Sequence, residues 1–146
     1  MSISITQSIV IQRKPEDVWD FTQDYARRAA WDDTILEAEV LEAGARPRVR
    51  VRAKGGLRGI FVYKLSERPR RTSVEMVEVE SALVAGGGGS WSYEPWEGGT
   101  RWTQTNSVRL KSRLAEWLLG PSLRWTMRRA ARRAMAKAKI ALEMDR

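Results

Sequence analysis

The sequence predicts an α+β fold: a curved antiparallel sheet of seven strands wrapped around one long C-terminal helix, in the order β-α-α-β6-α, with a cavity between sheet and helix. Three observations lead there. Apolar residues alternate with period two over the first dozen positions and again from about 35 to 110, the spacing of half-buried strands. Between those stretches stands Lys14-Pro15-Glu16-Asp17, a proline at a first helical position followed by acids. From about Ser112 to Glu143 the chain is rich in Ala, Arg, Leu, Met and Lys, with small and apolar residues at spacings of three and four.

Taken in order, Ile3, Ile5, Ile9 and Ile11 define a first strand over about 2–12. The helix starting at Pro15 buries Val18, Trp19 and Phe21, and a second short helix covers Tyr25–Ala30, ending near Trp31-Asp32. Leu36, Ala38 and Val40 alternate with Glu37 and Glu39, and after a turn at Ala43-Gly44-Ala45 the run Arg48-Val49-Arg50-Val51-Arg52 alternates in the same way. A hairpin sets Glu39 near Arg50 and Glu37 near Arg52, so the arginine stripe is read as a neutralised outer face. Gly55-Gly56 turns the chain into a strand with Phe61, Tyr63 and Leu65 on one side. In the next strand the apolar phase changes between Met76 and Val77, which predicts a bulge near Met76.

Ser81–Gly89 reads as a loop or ragged hairpin ending in four glycines, a candidate flexible lid or a disordered hairpin tip. Trp91 and Tyr93 then share a face, and beyond Gly98-Gly99 the residues Trp102, Gln104, Asn106, Val108 and Leu110 share another. Gly120-Pro121 predicts a break or kink in the final helix. Before it Leu114, Trp117 and Leu118 form a stripe; after it Leu123, Met127, Ala130, Ala134, Ala138 and Ala141 continue one. The only long amphipathic element must cover the apolar face of the sheet, and its alanines either let it sit close or leave a hollow.

Composition narrows the chemistry. With 146 residues the chain is expected to be one domain, 1–146. It has no Cys and no His, which excludes disulfide scaffolds, zinc fingers and histidine-based catalysis, and nothing calls for a cofactor or a metal. The net charge of +8 lies wholly in the last quarter: residues 109–146 hold 11 basic and three acidic side chains, and residues 1–108 hold 15 of each sign. That segment is either a solvated helix face or an attachment to an anionic membrane surface. No nucleic-acid motif accompanies it, so nucleic acid is not an expected partner. No leader or spanning segment is visible, and a cytoplasmic location is expected.

The order of elements and several local motifs resemble the polyketide cyclase/dehydrase and lipid-transport superfamily, also called SRPBCC or START-like, which includes the birch-pollen allergen fold. The residues that carry the resemblance are Ile9-Val10-Ile11 leading to Pro15-Glu16-Asp17-Val18-Trp19-Asp20-Phe21, then Asp24, Trp31-Asp32 and Ile35, then Trp91-Ser92-Tyr93-Glu94-Pro95, Gly98-Gly99-Thr100-Arg101 and the long basic C-terminal helix. The resemblance implies a helix-grip fold over essentially the whole chain. It implies binding, with or without transport, of a hydrophobic small molecule such as a lipid or polyketide-like compound, or else cyclase/dehydratase activity.

Candidate ligand-binding residues are Trp31, Phe61, Tyr63, Met76, Trp91, Tyr93, Trp102, Gln104, Asn106 and Met127. Gln104 and Asn106 stand out because they share the inward phase of Trp102 and Val108, and a buried amide without a partner costs about 1–3 kcal/mol. They either anchor a ligand or bond each other. The aromatic candidates, with Trp125, are either ligand walls or plain core. Trp31-Asp32 falls where the resemblance places the cavity mouth, a gate or else a cap on the short helices. Tyr63 and Tyr93 are the candidate proton donors of a cyclase-type reaction, or hydrogen-bonded core groups. The residues identify no inward-facing arginine.

Overall fold

A computed structural model describes residues 2–144. Strand β1 (Ile3–Ile11) leads into α1 (Pro15–Thr22), a 3-10 turn (Tyr25–Arg27) and the single helical turn α2 (Arg28–Trp31). Six strands follow, β2 (Ile35–Glu42), β3 (Arg48–Ala53), β4 (Leu57–Glu67), β5 (Arg71–Glu80), β6 (Val84–Trp96) and β7 (Gly99–Leu110), and then helix α3 (Arg113–Met144). All neighbouring strands are antiparallel, in the order β1-β7-β6-β5-β4-β3-β2. Because β1 returns to the far edge beside β7, every other connection in the sheet is a short hairpin.

Most local expectations have a direct structural counterpart. Pro15 occupies the first turn of α1, with Glu16 and Asp17 beside the helix N-terminus. Glu37 and Glu39 pair with Arg52 and Arg50 at 3.0 and 3.1 Å across β2 and β3. Others are refined or corrected. The bulge expected near Met76 is present in β5 and lies at Glu78, which takes φ +49°, while Met76 itself pairs regularly with Phe61. Helix α3 continues through Gly120-Pro121 without the break that is one of the two expectations there. The carbonyl of Trp117 loses its amide partner there, and both Trp117 and Pro121 are exposed, so water can meet it.

A further correction concerns the glycines. Gly86–Gly89 are not loop but the start of β6, paired with β7 on one side and, from Gly87, with β5 on the other. No lid can form from them, and only Ser81–Leu83 remain outside the strands. Glycine is required because the neighbouring backbones come too close for a side chain. A Cβ on Gly87 would meet the Ser107 carbonyl at 2.6 Å, and one on Gly88 would overlap the Val74 carbonyl. Gly88→Ala must push β5 away, so a loss of about 1–3 kcal/mol is expected, read from the midpoint of urea unfolding.

Two buried clusters bracket the interior. In one, Ala134, Met135, Ala138 and Leu142 of α3 pack on Ile11, Val18, Trp19, Trp31, Tyr93 and Trp102. In the other, Val49, Val51 and Tyr63 pack with Tyr25, Phe61 and Val74. Ala141, expected in the apolar stripe of α3, is exposed, and Leu142 beside it and Ala131 further back are buried. The small residues of α3 thus let it sit close to the sheet near its C-terminal end, and the space between the clusters stays open.

Candidate functional site

That space is a cavity of about 650 Å³. Its walls come from β3 to β7, from the short helical region and from residues 123–134 of α3. Of the ten candidate ligand-binding residues, Phe61, Tyr63, Met76, Trp91, Gln104, Asn106 and Met127 line it. Trp31, Tyr93 and Trp102 do not. They form the floor's backing, with Trp102 edge-on to Trp31 at 5.5 Å and stacked on Tyr93 at 6.1 Å between ring centroids. Trp31 is buried in this core, so it forms no gate, and Trp125 is exposed on α3 and forms no wall. A second hollow of about 310 Å³ lies over Gly87–Gly89 beside Glu75 and Arg109, but both charges are exposed and hold no pre-formed site.

Polar groups gather at one side of the cavity. Trp91 Nε1 donates to Asn106 Oδ1 at 2.9 Å, and Asn106 Nδ2 donates to Gln104 Oε1 at 2.9 Å. The two inward amides therefore do bond each other. Gln104 is 3% exposed, and its Nε2 has no acceptor among the described residues, which leaves its N–H groups for a guest.

The residue that the sequence reading missed is Arg28. It is 7% exposed and lines the cavity. Its Nε donates to Asp32 Oδ2 at 2.9 Å, while Asp32 Oδ1 accepts from the Thr34 amide and hydroxyl at 3.0 and 2.6 Å. The guanidinium carbon lies 4.8 Å from the Trp31 ring centre and 4.9 Å from that of Trp91, with Tyr25 at 5.5 Å. Burial is the largest influence and opposes its charge, but the Asp32 carboxylate together with Tyr25 and Tyr63 outweighs it, and the group is held above its usual pKa. Among the described residues the bond to Asp32 is the only hydrogen bond of this guanidinium. Its two Nη groups are therefore an unused, fixed, positively charged donor pair. The available signal was the i, i+4 spacing of Arg28 and Asp32, with Tyr25 and Trp31 three residues to either side.

The tyrosines form a closed chain of bonds. Tyr25 Oη meets Tyr63 Oη at 2.7 Å, Tyr63 donates to Gln23 Oε1 at 2.8 Å, and Gln23 Nε2 donates to Tyr93 Oη at 2.8 Å. Tyr93 meets Thr22 Oγ1 at 2.8 Å, and Thr22 donates to the Val18 carbonyl. Each hydroxyl has one proton, so Tyr25 must donate to Tyr63 and Tyr93 to Thr22. The Tyr63 and Tyr93 protons are both committed inside the protein. Burial also drives both pKa values well above the ordinary phenol range, aided at Tyr63 by Tyr25 and opposed at Tyr93 by the bond that Gln23 donates. As placed, both hydroxyls direct their protons at protein acceptors and not into the cavity.

A sequence model of polyketide cyclase/dehydrase and lipid transport proteins matches residues 2–143. The chain belongs to this family. Its fold is shared with a protein from Thermus thermophilus at 19% identity over 97% of this chain and 98% of that one, TM-score 0.81. It is shared with the di-domain ARO/CYC StfQ from the steffimycin biosynthetic pathway at 10% identity, over 99% of this chain and 52% of that one, TM-score 0.80. A START superfamily protein from Mycobacterium smegmatis matches at 11% identity over 98% and 99%, TM-score 0.78. These likenesses establish the helix-grip architecture of the family. A comparison with curated proteins returns no match. Among the described residues no helix is long and apolar enough to cross a membrane.

Proposed function

We propose that the protein binds, and releases unchanged, a largely apolar small molecule that carries a hydrogen-bond-accepting oxygen, such as a lipid or a polyketide-like ketone. The observation that carries the reading is Arg28: a buried guanidinium with free donors, opening into a cavity whose other walls are mainly apolar. Phe61, Met76, Leu123 and Met127 take the apolar body, and its burial supplies roughly 25 cal/mol per Å² before the costs of association. Arg28 and Gln104 take the oxygen, with the Trp91 ring beside it.

The test is a titration of the protein with the fluorescent hydrophobe ANS, followed by displacement with matched ligand pairs, an aromatic or long-chain ketone against its deoxygenated counterpart. Saturable binding is expected, with the ketone about tenfold or more tighter, the value of a hydrogen bond to a charged donor. Equal affinities would remove Arg28 and Gln104 from recognition. Absence of saturable binding by ANS and the whole panel would remove the function.

A cyclase or dehydratase is the second reading, supported by the same guanidinium, which is placed to stabilise a developing enolate oxygen. It requires turnover of a linear poly-β-ketone mimic that falls steeply in Arg28→Lys, a variant that keeps the charge and loses the planar stacked fork. Binding without turnover decides for the first reading.

A further inference from the structure

The first half of α3 has two faces. One lines the cavity through Leu123, Met127 and Ala130. The other carries Leu114, Trp117, Leu118, Pro121 and Trp125, whose spacing i, i+3, i+4, i+7, i+11 sets them on one side of the helix. They are open to solvent: Trp117 is 77% exposed, Leu114 65%, Trp125 61% and Leu118 59%. Large apolar side chains exposed together mark an interaction surface.

Charge says what covers it. Residues 113–133 contain six arginines and one acid, Glu116, and the Glu116 carboxylate accepts the Leu110 amide at 3.0 Å. Arg133 reaches Asp33 and Arg132 bonds to Gln7. Arg113, Arg124, Arg128 and Arg129 have no carboxylate partner among the described residues, and Arg129 lies 5.3 Å over the Trp125 ring. On the sheet, Arg50, Arg52, Arg71 and Arg101 are paired with carboxylates, and the two arginines with no such partner among the described residues, Arg58 and Arg109, have no exposed indoles beside them as those of α3 do.

From this we infer that the outward face of residues 113–129 docks on an anionic lipid bilayer. Trp117, Trp125, Leu114 and Leu118 enter the interface, and the four unpaired arginines meet the headgroups. Tryptophan and leucine at the centre with arginine around them is what such an interface selects. A second copy of this chain fits less well, because a two-fold pairing of this face sets Arg124, Arg128 and Arg129 of both copies against one another. Nucleic acid fits the arginines but leaves two indoles and two leucines against phosphate. The inference is independent of what the cavity holds.

The experiment is co-sedimentation of the full chain with vesicles of phosphatidylcholine alone or mixed with phosphatidylserine, at low and raised salt. Binding is expected to the mixed vesicles, to weaken with salt, and to be slight on phosphatidylcholine. Arg128→Gln with Arg129→Gln should weaken it roughly 25-fold, about fivefold per charge. Trp117→Ser with Leu118→Ser should weaken it by about tenfold or more. Both double variants should bind ANS in the cavity as the parent does, which shows that they are folded, and a variant with a filled cavity should still bind vesicles. No sedimentation with either vesicle, equal binding to both, or insensitivity to the two double variants would overturn the proposal. So would duplex DNA binding lost in the same variants without vesicle binding, or a dimer in solution that Trp117→Ser dissolves.

Discussion

Arg28→Met is expected to cost about 3–5 kcal/mol of stability, the loss seen when one member of a buried ion pair is removed and the other charge stays behind. Asp32 is as buried as its partner, and after the substitution its Oδ2 faces Met and the Trp91 region with no donor. The denaturant midpoint reads the loss, with the slope unchanged if only the native state is affected. Arg28→Met combined with Asp32→Asn should recover most of it, since Asn keeps an acceptor for Thr34 and carries no charge. The difference between the double variant and the sum of the singles then measures the coupling. A single-variant cost below about 1 kcal/mol, the value of an exposed pair, would mean that water reaches both groups and that the cavity lacks a fixed charge.

Ala130→Trp is expected to abolish guest binding and leave the fold intact. Ala130 sits on the cavity face of α3 and is half-buried, so a ring there extends into empty volume and not into a packed neighbour. Overpacking penalties arise where there is no room; here stability should change by no more than about 1 kcal/mol. Guest affinity should fall at least tenfold, while Ala136→Trp on the exposed side of the same helix serves as the unaffected control. Unchanged ANS binding in Ala130→Trp, with the control also unchanged, would place the guest elsewhere and end the cavity reading.

Much of this architecture is written in the spacing of residues. Period-two runs mark at least part of every strand, and the facing charges of Glu37, Glu39, Arg50 and Arg52 even set the register of β2 on β3. The same alternation turns Gln104 and Asn106 inward. What alternation cannot tell is how far along a strand the helix lies. Trp102 and Gln104 share a face, but Trp102 is covered by the helix core and Gln104 opens to the cavity. The glycines of β6 misled, and the proline of α3 does not break its helix, for another reason: local preference favours turns and breaks, and pairing on both sides or a long packed helix overrides it. Arg28 stayed hidden because Arg27 beside it is equally basic; Arg27 pairs outward with Asp24, and only the direction of one helical turn separates them.

The glycines have one more consequence. Gly88 and Gly89 line the cavity without side chains, so that stretch of its boundary is bare backbone held in a ladder and has no rotamers to change. Across from it stand Leu123 and Met127, long and unpinned, with a thioether that adapts its shape at little cost. The chamber thus has a hard wall and a soft one. Guests that differ in length or branching would be accommodated by rearrangement on the helix, while the sheet sets a fixed limit on thickness, so tolerance for chain length and intolerance for bulk should go together.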